Sequence, residues 1–482
     1  MEYIAVFDVG TSAIKGLLIQ KDGRIFEERS AVIHTYKGKH GEKEQNPEEW
    51  WTGMMSITRG WFEEKNIPPE SVKAVTFSGQ MENVILIREG ENTERAILYS
   101  DMRAEEEASW IQRERSDLPD ITANAVSAST PLAKLLWLNK REKKPASVVF
   151  SAKDYLIYKL TGVITTDSVT GATTGMMDIQ TRTWHPGILE SFGIDHFTLP
   201  ALLSPNDAAG NVLPSGNSGF HANTPVLCGA GDAGASTMGA GAIHDGDSYF
   251  YIGTTGWAAA PTKSHSPKTT GVFTLAHVIQ NMNISIAPLL NAGNVYEWTK
   301  NTFMPESSYE TFENTISQSK PGAGGLVFLP YIHGERFPVQ DSNAKGIYFG
   351  IQANTSQADF MRASLEGICY SLRHIAETII EAKEGKIILI GGGAKSKSWC
   401  QILADITNKT VSVPENSEYL PAVGIASTAF LYLGWVKDAR QFVDSYITCL
   451  QADIYRPNQK NTNVYEIRYK QYVKLYPRTR DI

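Results

Sequence analysis

Two apolar runs in different halves of the chain each end at a glycine-threonine turn, after which the apolar character resumes. Residues 4–9 read Ile-Ala-Val-Phe-Asp-Val and stop at residues 10–12, Gly-Thr-Ser, whereas residues 248–252 read Ser-Tyr-Phe-Tyr-Ile and stop at residues 253–256, Gly-Thr-Thr-Gly. A short apolar run, a tight turn and a second apolar run predict a β-hairpin. The repetition predicts an internally duplicated chain in which each half begins with the same hairpin.

Length and one polar connection indicate two domains. At 482 residues the chain exceeds the roughly 150 residues of a typical domain, which predicts two domains with a cleft between them. Residues 243–247 read Ile-His-Asp-Gly-Asp, a short polar stretch that few contacts are expected to cross. The predicted division is an N-terminal domain of residues 1–244 and a C-terminal domain of residues 245–482.

The second half carries three further local signals. Residues 356–359, Ser-Gln-Ala-Asp, have the spacing of a capping box, and apolar residues then recur at helical period to Ile379, which predicts a long helix with one buried stripe. Residues 386–390 are an apolar run that ends on residues 391–393, Gly-Gly-Gly, and predict a buried strand. Tyrosines at helical spacing near the C-terminal end predict a last helix docked by an aromatic stripe: Tyr465, Tyr469 and Tyr472.

Charge and composition exclude several classes of protein. The net charge of -7 gives no reason to expect a nucleic-acid partner, because such proteins usually carry a basic domain or stripe, so a small solute is the expected ligand. No secretory signal pattern and no run of about 18 apolar residues are found, and we expect a cytoplasmic protein without a membrane partner. The cysteines form no Cys-x-x-Cys pair, which removes support for zinc and redox motifs and predicts buried or incidental thiols: Cys228, Cys369, Cys400 and Cys449.

Glycine-rich turns follow three of the predicted strands, at residues 8–12, 253–256 and 391–396. Glycine lets backbone N–H groups approach phosphate oxygens, and adjacent hydroxyls add further donors. One such turn alone is as well explained by a hairpin that needs a positive φ, but several together suit a triphosphate, which needs donor loops from two sides. The Walker A pattern is absent from the sequence, so a P-loop protein is excluded.

A different nucleotide pattern occurs at residues 229–234, Gly-Ala-Gly-Asp-Ala-Gly, after an apolar run. This fits the dinucleotide fingerprint Gly-x-Gly-x-x-Gly, which also requires an acidic residue about 20 positions later at the end of a second strand. Here the next run, residues 248–252, ends in Gly-Thr-Thr-Gly, and Asp245 and Asp247 precede it. A dinucleotide oxidoreductase is therefore a weak alternative.

Two aspartates are candidates for chemistry, Asp232 just after one predicted strand and Asp8 at the end of another. Asp232 lies among small residues at the start of a predicted helix over residues 233–241, whose N-terminus is expected to keep the carboxylate ionised and available as a base. Taken alone, it could equally be a helix N-cap. Asp8 lies beside the first glycine turn, where a carboxylate could hold hydrated Mg²⁺ under phosphates, although a turn-stabilising role explains it as well.

A series of short motifs then makes the whole pattern recognisable. In chain order they are residues 8–12, 78–81 (Ser-Gly-Gln-Met), 101–103 (Asp-Met-Arg), 131–137, 153–155 (Lys-Asp-Tyr), 229–232, 253–256, 328–336, 344–346 and 391–396. In this order the series resembles the FGGY family of carbohydrate kinases, of the actin, sugar kinase and Hsp70 superfamily, nearly end to end. The resemblance implies an α/β fold of two ribonuclease-H-like domains, like those of actin-like ATPases. Each would be a mixed five-stranded sheet flanked by helices, with the sugar in the cleft and ATP mainly on the second domain.

The resemblance also implies roles for individual residues. Asp232 would be the general base that deprotonates the substrate hydroxyl attacking the γ-phosphate, and Asp8 the carboxylate associated with Mg²⁺. The residues implied for ATP are Gly10, Thr11, Ser12 and Lys15 at the terminal phosphates, Gly253, Thr254 and Thr255 opposite them, and Gly393, Ala394 and Lys397 at the adenosine. The residues implied for the sugar are Gln80, Met81, Glu82, Asp101 and Arg103, together with Asp232.

Within the family the chain looks closest to xylulokinases, through residues 78–81 and the segment Tyr-Ile-His-Gly-Glu-Arg at residues 331–336. Xylulokinases and gluconate kinases usually have histidine after the methionine of the first motif, where this chain has Glu82. Glycerol kinases carry glutamate there but lack the Gly-Glu-Arg segment, and other stretches are similar to gluconate kinases or to autoinducer-2 kinases. Because a glutamate accepts hydrogen bonds from hydroxyls and repels a carboxylate, Glu82 favours a neutral ketose or polyol over gluconate.

An active kinase is therefore the favoured interpretation, with ATP, Mg²⁺ and a small sugar or polyol as the expected ligands. A non-catalytic sugar-binding relative is a second alternative, but such a protein would be expected to have lost Asp232 or one of the phosphate turns. The sequence does not decide which sugar is used, which hydroxyl is phosphorylated, or whether a homodimer forms.

Overall fold

The computed structural model describes residues 1–38, 41–214, 218–265, 271–380 and 385–481. Its contacts divide the chain into two compact units. The first unit comprises residues 1–243, 263–284 and 421–449, and the second comprises residues 244–262, 285–420 and 450–482. No helix in these described ranges combines the length and the apolar character that a membrane span requires.

The elements before residue 244 begin with a three-stranded meander. The strands are β1 Tyr3–Val9, β2 Ala13–Gln20, β3 Ile25–Val32, β4 Tyr36–Lys37, β5 Lys43–Gln45, β6 Val72–Gly79, β7 Ile85–Ile87, β8 Ala96–Ile97, β9 Ala146–Val149, β10 Thr165–Asp167, β11 Met177–Asp178, β12 Thr183–Trp184, β13 Phe197–Thr198, β14 Ala201–Leu203, β15 Ala208–Asn211, β16 Pro225–Leu227 and β17 Ala230–Gly231. The α-helices are α1 Pro47–Arg59, α2 Glu105–Glu114, α3 Leu118–Thr122, α4 Pro131–Asn139, α5 Ala152–Thr161, α6 Ser168–Gly171, α7 Ile188–Ser191 and α8 Asp232–Gly239.

The later elements begin with a second hairpin. The strands are β18 Tyr249–Ile252, β19 Gly256–Thr262, β20 Phe273–Ala276, β21 Asn283–Leu289, β22 Val327–Leu329, β23 Ile347–Phe349, β24 Lys386–Ile390, β25 Thr410–Pro414 and β26 Ala452–Tyr455. The α-helices are α9 Gly293–Phe303, α10 Tyr309–Gln318, α11 Gln357–Ile379, α12 Lys397–Thr407, α13 Leu420–Tyr432, α14 Ala439–Tyr446 and α15 Gln459–Thr479.

The main sheet of the first unit is mixed. Its strand order is β15-β16-β6-β1-β2-β3, and β17 also pairs with β6. β1 runs antiparallel to β2 and parallel to β6, and β16 and β17 run parallel to β6. β1 is central because residues 4–7 are apolar on both faces and fully buried, whereas β3 alternates between partly buried and exposed residues, as an outer strand does. Phe7 lies opposite Phe77 of β6, and the two rings stack at 5.5 Å in the core.

The main sheet of the second unit repeats this arrangement. Within the second unit its strands follow the order β21-β19-β18-β24-β25-β26, with β18 antiparallel to β19 and parallel to β24, and with β24 parallel to β25. In each unit the first hairpin is therefore followed by two parallel strands on the same side. The predicted repetition of one hairpin is confirmed. The five strands expected in each sheet are present, and each sheet continues beyond them, through β15 and β17 in the first unit and β26 in the second.

The long helix and the aromatic stripe predicted in the second half are both present. Ser356 caps α11 in a capping box with Asp359, and the apolar stripe of this helix is buried. Tyr465, Tyr469 and Tyr472 of α15 are also buried, and Tyr472 donates to or accepts from Ser371 of α11 at 2.6 Å. Of the cysteines, Cys228, Cys369 and Cys400 are buried and Cys449 is exposed.

One buried histidine links two segments of the first unit. His277 has no exposed surface; its Nε2 lies 3.0 Å from the carbonyl oxygen of Ala242, and its Nδ1 accepts the N–H of Ile279 at 2.9 Å. A neutral ring with its proton on Nε2 satisfies both contacts, and a second proton would remove the Nδ1 acceptor. Burial lowers the pKa of His277 to about 4, and the charge of Arg182 acts in the same direction.

We expect His277 to make the protein less stable in mild acid. Below about pH 6.5 the unfolded chain binds a proton at this histidine while the folded chain does not, so the free energy of unfolding should fall by about 2 kcal/mol between pH 7 and pH 5. Urea unfolding at both pH values checks this, with His277→Gln as the control because its amide can serve both partners without titrating. Equal losses for the two proteins would contradict the prediction.

Candidate active site

The first group of predicted site residues lies at one edge of the first unit's sheet. Asp8 is opposite Lys15 of β2 on one side and opposite Ser78 of β6 on the other, and Ser78 is opposite Ala230 of β17. Residues that are in register on neighbouring strands project to the same face. Burial raises the pKa of the Asp8 carboxyl, and the charge of Lys15 opposes that shift. A positive charge near Asp8 would therefore be stabilised.

The turn between β1 and β2, residues 10–12, lies at the same edge. Gly10 N–H donates to the carbonyl oxygen of Ala13 at 3.0 Å, and Gln45 Nε2 donates to the carbonyl oxygen of Thr11 at 2.7 Å. The hydroxyl of Thr11 donates to the hydroxyl of Tyr99 at 3.3 Å, and Ser12 is exposed. The turn is held by its neighbours, and it continues directly into β2, which carries Lys15.

Asp232 lies at the junction of β17 and α8, as its first helical residue. The backbone N–H of Ala233 donates to its Oδ1 at 2.8 Å. Desolvation by the surrounding protein raises the pKa of Asp232 to about 7, and the negative charges of Asp8, Glu82 and Asp167 contribute to the increase. The expectation that the helix N-terminus keeps this carboxylate ionised is thus corrected, because desolvation and neighbouring carboxylates outweigh the backbone donor.

The segment predicted to face the sugar contacts this junction. Met81 packs so closely on Gly231 that a Cβ at Gly231 would come within 2.0 Å of the methionine sulfur. Gln80 is buried, and its Nε2 donates to Oε1 of Gln45 at 2.8 Å. Glu82 is largely buried and adopts a left-handed backbone conformation with φ of 58°. The structure therefore brings Gln80, Met81, Glu82, Asp8 and Asp232 together.

The backbone of Glu82 is held by a buried lysine of α4. Lys134 has no exposed surface, and its Nζ donates to the carbonyl oxygens of Glu82 at 2.7 Å and Leu98 at 2.8 Å. Lys134 lies in the motif at residues 131–137, which by itself predicts no role for this side chain. The signal that could have drawn attention to it is a lysine placed inside an otherwise apolar run.

Asp101 and Arg103 are engaged mainly with each other. Arg103 Nε donates to Oδ1 of Asp101 at 2.9 Å and its Nη2 to Oδ2 at 2.6 Å, while the same Nη2 donates to Glu44 at 2.8 Å. Asp101 is fully buried and also accepts the backbone N–H of Lys43 at 2.7 Å. The structure thus gives these two residues a pairing that fixes their own loop, rather than contacts with Asp232.

A second group of predicted site residues lines a cavity of the second unit. The cavity has a volume of about 850 Å³. Four of the residues predicted for ATP lie in its wall, whereas Thr255 and Ala394 lie outside it. The full lining is Gly253, Thr254, Gly293, Asn294, Tyr296, Glu297, Tyr309, Glu310, Glu313, Asn314, Ser317, Gly392, Gly393, Lys395, Ser396, Lys397, Ser398 and Trp399.

Close packing of glycines shapes this cavity. A Cβ at Gly393 would come within 2.2 Å of Cγ2 of Ile252, and a Cβ at Gly293 within 2.2 Å of the carbonyl oxygen of Gly253. Lys397 is the first residue of α12, whose N-terminus presents backbone N–H groups and a positive dipole. On one wall the rings of Tyr296 and Trp399 stack at 5.3 Å. A cavity with an aromatic wall, a glycine turn and a helix N-terminus can accept a flat ring together with an anionic group.

The residues present also fit a magnesium ion that is held partly by a ligand. Within the described residues, no cluster of three or more histidine, cysteine, aspartate or glutamate side chains is arranged to hold a metal. Mg²⁺ commonly takes one or two protein carboxylates and completes its octahedron with phosphate oxygens and water. Asp8, whose carboxyl lies in a desolvating environment, is a carboxylate of that kind.

Comparison with protein families identifies both halves of the chain. Residues 3–239 match the model of the N-terminal domain of the FGGY family of carbohydrate kinases, and residues 251–433 match the model of its C-terminal domain. The chain belongs to the FGGY family of carbohydrate kinases. It is therefore a sugar kinase, and the resemblance found from the sequence is confirmed. The dinucleotide oxidoreductase alternative is excluded by the same finding.

Individual relatives agree with this assignment. The chain is 30% identical to a xylulose kinase of Bacillus subtilis (strain 168), with 100% of this chain and 98% of that protein aligned. It is 28% identical to a gluconokinase of the same organism, over 86% of this chain and 85% of that protein. The ligand-bound xylulose kinase from Lactobacillus acidophilus is 24% identical and superimposes with a TM-score of 0.89, over 99% of this chain and 98% of that one. The fold is thus that of the FGGY sugar kinases.

Proposed function

We propose that this FGGY kinase transfers the γ-phosphoryl group of ATP to a hydroxyl of a neutral pentulose such as xylulose, with Asp232 as the general base. The observation that carries the proposal is the setting of Asp232. Its carboxyl lies at the start of α8, its pKa is raised to about 7, and the residues expected to face the sugar lie beside it. A general base works best when its pKa is close to the working pH.

The contacts of Asp232 support this role. The N–H of Ala233 donates to Oδ1, which restrains the carboxylate, and Oδ2 would accept the proton of a substrate hydroxyl. Neighbouring negative charges make the ionised form of Asp232 less stable and hence a stronger base. The same charges of Asp8 and Glu82 would be offset by the cation that accompanies ATP, since Mg²⁺ neutralises charge on the phosphates.

The cavity of the second unit is the proposed site of the nucleotide base and ribose. Its volume suits an adenosine-sized ligand, and Gly253, Thr254, Gly392 and Gly393 form turns that permit close approach of backbone N–H groups to phosphate. Asp8 would hold Mg²⁺, and Lys15, opposite Asp8 in the sheet, would lie near the transferred phosphoryl group.

Glu82 supports a neutral substrate. Its position next to Met81 and its electrostatic effect on Asp232 place a negative charge where the sugar is expected. A carboxylate accepts hydrogen bonds from hydroxyl groups, whereas it repels the carboxylate of gluconate. The full-length similarity to the xylulose kinase favours a pentulose among neutral substrates, and glycerol or erythritol are the alternatives that the same charge allows.

A substrate screen tests the proposed function. ADP release should be measured with ATP, Mg²⁺ and each of D-xylulose, L-xylulose, ribulose, gluconate, glycerol and erythritol, and product should be identified by mass. We expect the highest kcat/KM for a pentulose and the lowest for gluconate. A preference for gluconate would contradict the proposed substrate class, and sugar-independent ADP release alone would contradict phosphoryl transfer to a sugar.

Two neighbouring glycines offer a test of the nucleotide site. A Cβ at Gly392 meets no atom within 4 Å, whereas a Cβ at Gly393 overlaps Ile252. Overpacking of this kind costs about 1–3 kcal/mol, so Gly393→Ala should displace the turn and raise the KM for ATP roughly 5- to 150-fold. Gly392→Ala, the matched control, should change that KM far less, and neither should change the KM for the sugar. Equal KM values for ATP in both variants would contradict the assignment.

A further inference from the structure

A fully buried cluster of charges lies next to the loop that leads to Asp232. Lys153 and Asp154 lie in the first turn of α5, Asp167 is the last residue of β10, and none of the three has exposed surface. Nζ of Lys153 lies 2.5 Å from Oδ1 of Asp154 and 2.9 Å from Oδ2 of Asp167. Because a buried ion pair seldom adds stability beyond that of an apolar replacement, its presence here calls for a geometric reason.

The cluster contacts both ends of the loop segment, residues 228–231, that joins β16 to α8 and includes the two-residue strand β17. Nζ of Lys153 donates to the carbonyl oxygen of Cys228 at 3.0 Å. Cys228 directly follows the last residue of β16. Oδ1 of Asp167 lies 3.5 Å from the backbone nitrogen of Gly231, which precedes Asp232. The ion pair thus connects Cys228, the first residue of this segment, to Gly231, the last residue before α8.

Asp167 itself is fixed by further contacts. Its Oδ1 accepts the N–H groups of Val169 at 2.8 Å and Thr170 at 3.1 Å, and its Oδ2 accepts the hydroxyl of Thr170 at 2.6 Å. These contacts cap α6. Because both carboxylate oxygens are occupied, the side chain cannot rotate without losing several hydrogen bonds, so it provides a rigid reference for the loop.

The loop has little freedom on its other side. Gly229 has a φ of 63°, and a Cβ there would come within 2.0 Å of the carbonyl oxygen of Phe77 in β6. The N–H of Gly229 donates to the carbonyl oxygen of Pro205 at 3.1 Å. The loop therefore rests directly on β6, and the charged cluster fixes its two ends against that strand.

We infer that Lys153 and Asp167 are positioning residues for phosphoryl transfer: their ion pair holds the loop of residues 228–231 and thereby fixes the orientation of the Asp232 carboxylate. The inference rests on the proposed function of Asp232 as the base. Both side chains are fully buried, so their effect on Asp232 would be transmitted through the backbone. A displacement of about 1 Å at a reacting group is enough to cost roughly 100-fold in rate.

The test compares Asp167→Asn with Asp154→Asn. Both variants remove one carboxylate from Lys153, but Asp154 has its other hydrogen bond with the hydroxyl of Thr166 and not with the loop. We expect Asp167→Asn to lower kcat about 10- to 100-fold while the KM for ATP stays within about twofold. Asp154→Asn should keep kcat within about threefold of the wild type. A purely structural role would lower thermal stability in both variants without a difference between their kcat values. Equal kcat values in the two variants would therefore overturn the inference.

A second variant covers the case in which Asp167→Asn fails to fold. Lys153→Met combined with Asp167→Asn removes both members of the pair, and Asp154, whose pKa burial already raises to about 6, would then bind a proton. The same loss of kcat is expected, and a wild-type kcat would overturn the inference. Asp232→Asn is measured alongside: if it stays active, the proposed function fails, whereas an inactive Asp232→Asn beside a fully active Asp167→Asn removes only the positioning role.

Discussion

Replacing Asp232 with asparagine should lower kcat by roughly 10²–10⁴, which corresponds to about 3–5 kcal/mol of transition-state stabilisation. The amide has nearly the shape of the carboxylate, and its oxygen can still accept the N–H of Ala233, so the start of α8 should keep its geometry. What is lost is the ability to accept the proton of the substrate hydroxyl. The expected result is therefore a fall in kcat without a loss of folding.

ATP binding should be nearly unaffected in this variant, because the cavity proposed for the nucleotide is lined by residues of the second unit alone. Steady-state kinetics give kcat, and calorimetry with a non-hydrolysable ATP analogue gives the affinity. Asp207→Asn is the matched control: Asp207 is an exposed aspartate of the same unit whose Oδ2 accepts the N–H of Ser204 at 2.9 Å, and its replacement should leave kcat unchanged. Near wild-type turnover by Asp232→Asn would remove Asp232 from its proposed role.

The parts of the fold that the sequence predicts are those specified by local patterns. The apolar run before residue 10 becomes β1, the run at residues 386–390 becomes β24 with the same bounds, and the capping box at Ser356 begins α11. Each of these depends on residues close together in the chain. Strand β15, by contrast, reads Ala-Ala-Gly-Asn, a composition that carries no strand signal, and it forms by pairing with β16.

Segments that join a unit from far along the chain are harder to predict. Residues 421–449 belong to the first unit, where the hydroxyls of Thr428 and Thr76 lie 2.7 Å apart and a Cβ at Gly424 would come within 2.2 Å of the nitrogen of Gly239. Helix α13 is apolar and small-residue-rich throughout its length. Such a pattern predicts burial but does not specify the surface that buries the helix.

The site was predictable to the extent that its residues follow strands. Asp8 lies at the end of an apolar run and Asp232 shortly after another, and each is beside a glycine-rich turn, which is why the sequence predicts both. Their electrostatics were not predictable, since the pKa of Asp232 depends on Asp8, Glu82 and Asp167, which are brought together only by folding. The ion pair of Lys153 with Asp167 is not predictable from the sequence for the same reason. Its members lie 14 positions apart in the chain, on different elements, and no local periodicity relates them.

The second large effect is expected at Glu82, where this chain departs from the residue usual in xylulokinases. Its backbone is held by Lys134 through the carbonyl oxygen, so a change of side chain should leave the course of the chain intact. If Glu82 accepts hydrogen bonds from substrate hydroxyls, Glu82→His should change the ratio of kcat/KM between substrates by one charge-assisted hydrogen bond. That is about 1.5–3 kcal/mol, or roughly 10- to 150-fold in discrimination.

The alternative is a structural role, in which Glu82 pairs with a neighbouring cation such as Arg103. The structure gives the ion pairs of Arg103 to Asp101 and Glu44, so Arg103 is not the cation that such a pairing would use. The test measures kcat/KM for D-xylulose, glycerol and gluconate on the wild type, on Glu82→His and on Glu82→Gln, which removes the charge but keeps the length. If Glu82 determines specificity, the kcat/KM for gluconate should rise relative to that for the neutral substrates in Glu82→Gln, because the repulsion of the gluconate carboxylate is removed. The KM for ATP should stay constant. Loss of activity on every substrate in equal proportion would instead show that Glu82 supports the local structure, because a charge that only stabilises a loop cannot distinguish one sugar from another.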